Sequence, residues 1–162
     1  MKKFSKILLI GLVAAFLVGI GLVLGSQPVG KPIPPQIMAE ENASLVNYDW
    51  GTFRTYFENA ETYGTKDTLV AVARINPGQT THEPHQHYQA EFLMIIEGTG
   101  KHHLNGEVIE AKPGDMLYTS PWDWHGIYNT GTEPLVFVVF KWDNKGIAAP
   151  PQPGPPAFKN TW

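Results

Sequence analysis

The stretch Gly78–Gly98, GQTTHEPHQHYQAEFLMIIEG, decides how this chain is read. It holds His85, His87 and Glu91 within seven residues and closes on a glycine. In a strand, residues i and i+2 point the same way, so His85 and His87 can face one side together. Glu91 follows Tyr88-Gln89-Ala90, far enough to cross a turn and enter the next strand. A second segment, Gly114–Asn129 (GDMLYTSPWDWHGIYN), supplies His125, 34 residues beyond Glu91, which must arrive by tertiary folding. Three imidazoles with one carboxylate suit iron, manganese, nickel, copper or zinc, and are too nitrogen-rich for calcium or magnesium. The expected cofactor is therefore one divalent transition metal ion held by His85, His87, Glu91 and His125.

Around this stretch the chain is strand-like. Strands are expected at Thr68–Ile75, Glu91–Glu97, Lys101–Leu104, Glu107–Glu110, Asp115–Ser120, His125–Asn129 and Leu135–Trp142. Turn signals separate them at Asn76-Pro77-Gly78, Gly98-Thr99-Gly100, Asn105-Gly106, Pro113-Gly114 and Thr130-Gly131. Asn105-Gly106 between two short strands is the signal of a type I′ hairpin. An aromatic and β-branched cluster from Thr52 to Phe57 reads as further strand. Many short strands without a helical period point to an antiparallel sandwich or barrel. Gln36–Leu45 reads as a short helix, although no amphipathic stripe supports it.

The flanks differ in composition. Lys2, Lys3 and Lys6 precede an apolar run from Ile7 to Leu24, the pattern of a targeting segment. At 18 residues the run is long for a cleaved signal and approaches the ~20 that span a bilayer. Residues 1–25 are thus expected to be a signal peptide, cut before Ser26, or an uncleaved anchor that would make the membrane a partner. Either places the domain outside the cytoplasm, because the lysines stay inside. Residues 26–45 read as a Pro-rich linker, 46–145 as the barrel and 146–162 as a Pro-rich tail. Ala148–Pro156 cannot join a sheet and reads as a solvated strap, with Phe158 and Trp162 tacking its end to the barrel.

Charge and thiols exclude several classes. Without the three lysines of residues 1–25, 9 of the 12 Lys and Arg remain against 15 Asp and Glu, a net −6. An acidic domain without a basic patch argues against nucleic acid as partner. With no cysteine there is no disulfide, thiol nucleophile or thiolate ligand.

The two histidine segments resemble the paired motifs of the cupin family. The first motif usually reads G-x5-H-x-H-x3,4-E-x6-G, and Gly78, His85, His87, Glu91 and Gly98 take its places with one extra residue before His85. The second usually reads G-x5-P-x-G-x2-H-x3-N; Gly114, Pro121, His125 and Asn129 take its places. Pro121 arrives one residue late, and Trp122 or Asp123 stands where glycine is usual. The resemblance covers roughly Leu69 to Trp142. It implies an all-β double-stranded β-helix, a jelly-roll barrel with the metal inside, and suggests a homodimer.

Neighbouring residues carry open alternatives. If Leu104 faces the core, period 2 turns His102 inward and His103 outward. His102 could then be a catalytic acid/base, a hydrogen-bond donor to substrate, or a barrel residue away from the metal. His82 is expected at the barrel mouth. Trp122 and Trp124 could form an aromatic lip over a substrate or cap the barrel by packing. Tyr118 and Tyr128 could line the cavity or face outward. Asn129 is expected to hold its loop. Functionally, the residues fit a metal-dependent enzyme acting on a small oxygenated molecule, with an oxygenase first and lyases, decarboxylases or isomerases open. A non-catalytic module binding a small ligand through the metal is the second reading, and a purely structural metal the last.

Overall fold

In strand Thr65–Ile75 the alternation of Ala71, Ala73 and Ile75 with more exposed residues gives one face to the core, and the same period recurs in strands Ala90–Glu97 and Leu135–Asn144. The computed structural model describes residues 31–156. Residues 1–25, expected to be a targeting segment, and Phe158 and Trp162 lie outside the described residues. Among the described residues no helix is long and apolar enough to cross a membrane.

Among the described residues nine strands form two sheets. In chain order they are β1 (Ser44–Tyr48), β2 (Gly51–Ala60), β3 (Thr65–Ile75), β4 (Ala90–Glu97), β5 (Gly100–Leu104), β6 (Glu107–Ala111), β7 (Met116–Thr119), β8 (His125–Tyr128) and β9 (Leu135–Asn144). One sheet has the order β1-β2-β3-β9-β4-β7 and the other β6-β5-β8. Two isolated bridges, Thr80 with Tyr128 and His85 with His125, extend the smaller sheet through the segment before β4. The core lies between the sheets and includes Ile75, Leu93, Ile95, Ile127, Leu135 and Phe137. This is the all-β, two-sheet barrel expected, and the seven strands read from the sequence all form, with ends shifted by three residues or fewer.

The expected helix over Gln36–Leu45 does not form. A single 3-10 turn spans Glu40–Asn42, and Ser44 already opens β1. Strand pairing accounts for the difference: Ser44 to Tyr48 pairs residue by residue with Thr55 to Gly51, and Arg54 bonds both the carbonyl and the carboxylate of Glu40. Gly51, with φ of 144°, closes this hairpin; a Cβ there would collide with the Arg74 carbonyl. Asn105 (φ 50°) and Gly106 (φ 88°) both adopt the left-handed conformation of a type I′ turn between Leu104 and Glu107.

Candidate metal centre

Backbone pairing brings the two histidine segments together before any side chain is considered. His85 N–H donates to the His125 carbonyl at 2.9 Å, and His125 N–H returns a bond to the His85 carbonyl at 2.8 Å. Trp122 N–H donates to the His87 carbonyl at 2.7 Å. Glu91 enters on β4 in register with Thr119 of β7 and Lys141 of β9, all facing the interior. As a result one ligand atom from each of His85, His87 and His125 falls within 4.8 Å of the others. Glu91 spans two of them, with Oε2 3.4 Å from His87 Nε2 and Oε1 3.5 Å from His125 Nε2.

The tautomers follow from second partners. His87 Nδ1 lies 3.1 Å from the Gln89 carbonyl and His125 Nδ1 lies 2.8 Å from the Asp123 carbonyl. A carbonyl only accepts, so both Nδ1 atoms carry the proton and both neutral rings point a lone pair from Nε2. Those lone pairs are buried, have no hydrogen-bond partner and face a carboxylate. Such an arrangement of donor atoms is complete only with a cation between them. The residues therefore fit a metal ion by chemistry as well as by position.

Burial favours the neutral form of His85 and His125. Burial, then the neighbouring histidines His82, His125 and His87, push the His85 pKa down to about 3. Burial also lowers His125, opposed by Glu91 and the Asp123 carbonyl. Burial pushes Glu91 up, but the polar groups beside it, His87 first, then His125 and the Lys141 ammonium, outweigh that, so the carboxyl ends below its ordinary value. Neutral imidazoles and an ionised carboxylate are the forms that bind a metal.

The cluster opens into a cavity of about 320 Å³, small for a ligand site. His102 lines it beside His85, Glu91 and His125. It is 2 % exposed, and neither ring nitrogen makes a well-formed hydrogen bond. Burial, with the charge of His125, pushes its pKa down to about 4 against smaller upward pulls from Glu91 and the Gly126 backbone. His103 is not outward in the sense of exposed: at 1 % exposure it is as buried as His102. Alternation sets direction only, and the far face of β5 is covered at that point. His82 stands at the exposed rim of the cavity, its ring edge-on to His85 with centroids 4.0 Å apart.

The four aromatic residues expected near substrate stand away from the cavity wall. Tyr118 is half-exposed and packs on Phe92, on the outer face of the large sheet. Tyr128 sits at the end of β8, bridged to Thr80. Trp122 turns away, donating from Nε1 to the Pro150 carbonyl at 2.7 Å and so receiving the Pro-rich tail. Trp124 is held by its backbone, N–H to Asn105 Oδ1 and carbonyl from Asn105 N–H. The turn is locked because Asp123 accepts from Ser120 N–H and Asn105 Nδ2. An aromatic pair does line the cavity, but it comes from the β1–β2 turn: Tyr48 and Trp50, stacked at 4.9 Å with planes 9° apart. Lys141 lines it too. The sequence signals these three only weakly, through the Asp49-Trp50-Gly51 turn and a lysine on the inward period of an apolar strand.

Asn129 holds its loop as expected. It is wholly buried, its Nδ2 donates to the Ile75 and Glu133 carbonyls at 2.9 Å each, and its Oδ1 accepts from Gly131 N–H at 2.9 Å.

Comparison with known proteins agrees with this geometry. The family profile described as "Cupin domain" matches residues 71–141. Dimethylsulfoniopropionate lyase DddW of Ruegeria pomeroyi is 31% identical over 118 residues, covering 68% of this chain and 74% of the relative. A 5-nitrosalicylic acid 1,2-dioxygenase of a Bradyrhizobium species is 33% identical over 110 residues, covering 65% of this chain. The match takes in 49% of that dioxygenase, so the chain spans about half its length. Among solved structures, a cupin-2 domain from Rhodospirillum rubrum shares the fold with a TM-score of 0.54 at 20% identity, over 76% of this chain and 83% of that one.

Proposed function

The chain belongs to the cupin family, and we propose that it is a metal-dependent enzyme acting on a small oxygenated molecule outside the cytoplasm. The observation that carries the reading is the pair of buried Nε2 lone pairs on His87 and His125 facing Glu91, in a cavity that also holds His102. A divalent transition metal held by His85, His87, His125 and Glu91 would supply a Lewis acid or redox centre for an oxygen of the substrate. The protein does the rest. Its apolar walls exclude water, and the Gln89 and Asp123 carbonyls fix the ligand rings. His102, neutral at pH 7, stands on the cavity wall beside the metal ligands, placed to exchange a hydrogen bond or a proton with the substrate.

Oxygenase chemistry comes first, supported by the dioxygenase among the relatives and by a donor set that suits iron, manganese, nickel or copper. A lyase-type elimination is the second reading. The relative matched over most of its own length is a lyase, and an unpartnered His102 is what proton abstraction needs. The extracytoplasmic placement rests on the lysines and apolar run of residues 1–25.

The test starts from metal-stripped protein reloaded with Fe(II), Mn(II), Ni(II), Cu(II) and Zn(II) in turn, followed by a panel of carboxylates, phenols and sugars. About one ion per chain and oxygen consumption with at least one substrate are expected, both lost in His85→Ala with an unchanged circular dichroism spectrum. Turnover without oxygen would move the reading to the lyase. No stoichiometric metal uptake would end it.

A further inference from the structure

Lys141 is a cation on the cavity wall whose ammonium forms no direct ion pair, although its charge acts on Glu91. On β9 it lies directly across from Glu91 on one side and Leu69 on the other, on the inner face, and it lines the cavity. Directly opposed side chains have Cβ atoms only ~5 Å apart. Lys141 nevertheless forms no ion pair with Glu91, whose oxygens go to His87 and His125. Among the described residues its ammonium makes no hydrogen bond or ion pair. An amine on a cavity wall that is not engaged by a protein carboxylate is open to a charge-assisted bond from an anionic ligand.

The charge of the cavity points the same way. Its wall carries one carboxylate, Glu91, and one amine, Lys141, so with neutral imidazoles it has no net charge. A divalent cation at the cluster raises that to two positive charges in a water-poor space. An anionic ligand is what restores balance.

Strand register gives the cavity a direction. The Glu91–Lys141–Leu69 row is followed by Leu93–Val139–Ala71, and then by Ile95–Phe137–Ala73 with Phe53 beyond. Leu93, Val139, Phe137 and Phe53 of these rows line the cavity. The stacked Tyr48 and Trp50 add apolar wall on the β1–β2 side. One end of the space is thus cationic and lies next to the metal ligands, while the rest is apolar.

We propose that Lys141 is the anion receptor of this cavity, and that its ligand is a small carboxylate with an apolar body and an oxygen beside the carboxylate. The carboxylate pairs with the Lys141 ammonium, the adjacent oxygen reaches the metal cluster, and the apolar body lies along Val139 and Phe137. This deepens the proposed function and rests on its metal-bound cavity, so the test separates the two.

Mandelate and mandelamide are suitable probes, since they share a ring and an adjacent hydroxyl and differ in the carboxylate charge. Both are titrated by calorimetry into full-length wild type, Lys141→Gln and Lys141→Arg, each in Zn(II)-loaded and metal-stripped form, with zinc content measured on the same samples. Mandelate is expected to bind Zn(II)-loaded wild type at least 10-fold more tightly than Lys141→Gln, with Lys141→Arg within about 3-fold of wild type. Mandelamide should bind the three proteins alike. Equal mandelate affinity in wild type and Lys141→Gln overturns the proposal, as does mandelamide binding wild type as well as mandelate, or no mandelate binding in either form. If neither zinc nor any of the other four ions is taken up, the metal reading fails on its own. The metal-stripped titrations then decide for Lys141 if Lys141→Gln alone loses mandelate, and against it if it does not.

Discussion

Buried polar side chains occupy two levels of the same barrel, and the chain treats them in opposite ways. At the Ile75–Leu135 level, Asn129 is wholly buried and every hydrogen-bonding direction it offers to the backbone is used. Six residues along β3, about 20 Å away, the Leu69–Lys141–Glu91 level leaves buried imidazole nitrogens without partners and an ammonium without a direct ion pair. Satisfied polarity inside a protein holds loops in place, and unsatisfied polarity is retained at the expense of stability. The first level is scaffold and the second is site.

The sharpest way to break this contrast is to delete one polar group from each level. Asn129→Ala leaves the Ile75 and Glu133 carbonyls and the Gly131 N–H unpaired. It should cost about 3 kcal/mol in urea unfolding of the metal-free protein. His125→Ala gives up one bond, to the Asp123 carbonyl, and should cost only about 1 kcal/mol. Added metal reverses the order of importance. At a hundred times its dissociation constant, Zn(II) should stabilise wild type and Asn129→Ala by about 2.7 kcal/mol and leave His125→Ala unmoved. Equal losses without metal, or equal gains with it, would erase the distinction between the two levels.

Much of the scaffold is legible in the sequence, because it depends on local rules. Turn residues at Asn105-Gly106 and the period-2 alternation of Ala71 to Ile75 fix where strands lie and which way they face. The two motifs bring His85, His87, Glu91 and His125 forward because their spacing is a property of the chain itself. What the sequence leaves hidden is set by strand order. Lys141 meets Glu91 only because β9 inserts between β3 and β4, and Tyr48 and Trp50 reach the cavity only through the β1–β2 turn. Trp122 and Trp124 mislead for the converse reason: they neighbour His125 in sequence, but the Asp123–Asn105 lock fixes the turn and the Pro150 carbonyl takes the Trp122 indole.

Acid should sharpen the same comparison with a smaller effect. The pKa of His102 is held at about 4 in the folded state and lies near 6.5 when unfolded. The unfolded chain therefore takes up this proton first as pH falls. The stability tied to a neutral His102 is fully present above about pH 6.5 and is lost progressively on the way down to about pH 4. His85, held at about 3, acts in the same direction over a window reaching further into acid. Between those limits the metal-free protein should gain at most about 1.4 kcal/mol per pH unit through His102. His102→Gln should remove that part of the slope in urea unfolding followed from pH 4.5 to 7.5. Asn129, which does not titrate, should leave the slope as it is when replaced by Ala. A slope unchanged in His102→Gln would mean that the buried imidazole is not kept neutral.

The smallest expected effect concerns the turn that joins the tail to the site. Trp122 has φ of 68°, in the left-handed region, one of the two positions that stand where the cupin motif usually carries glycine. A bulky side chain there costs roughly 1–2 kcal/mol relative to ordinary backbone. Its indole N–H bond to the Pro150 carbonyl returns about 1 kcal/mol, and its contact with Tyr88, centroids 6.3 Å apart, returns less. Trp122→Phe keeps the strain and loses the bond, and should be destabilised by about 1 kcal/mol. Trp122→Gly loses both contacts but also the strain, and should stay within about 0.5 kcal/mol of wild type. The glycine variant should thus be the more stable of the two, an order that side-chain burial alone would reverse. Because Trp122 N–H still reaches the His87 carbonyl in both variants, metal uptake should be the same in each. A glycine variant less stable than the phenylalanine one would show that the tail contact, and not the backbone of the turn, governs this corner of the barrel.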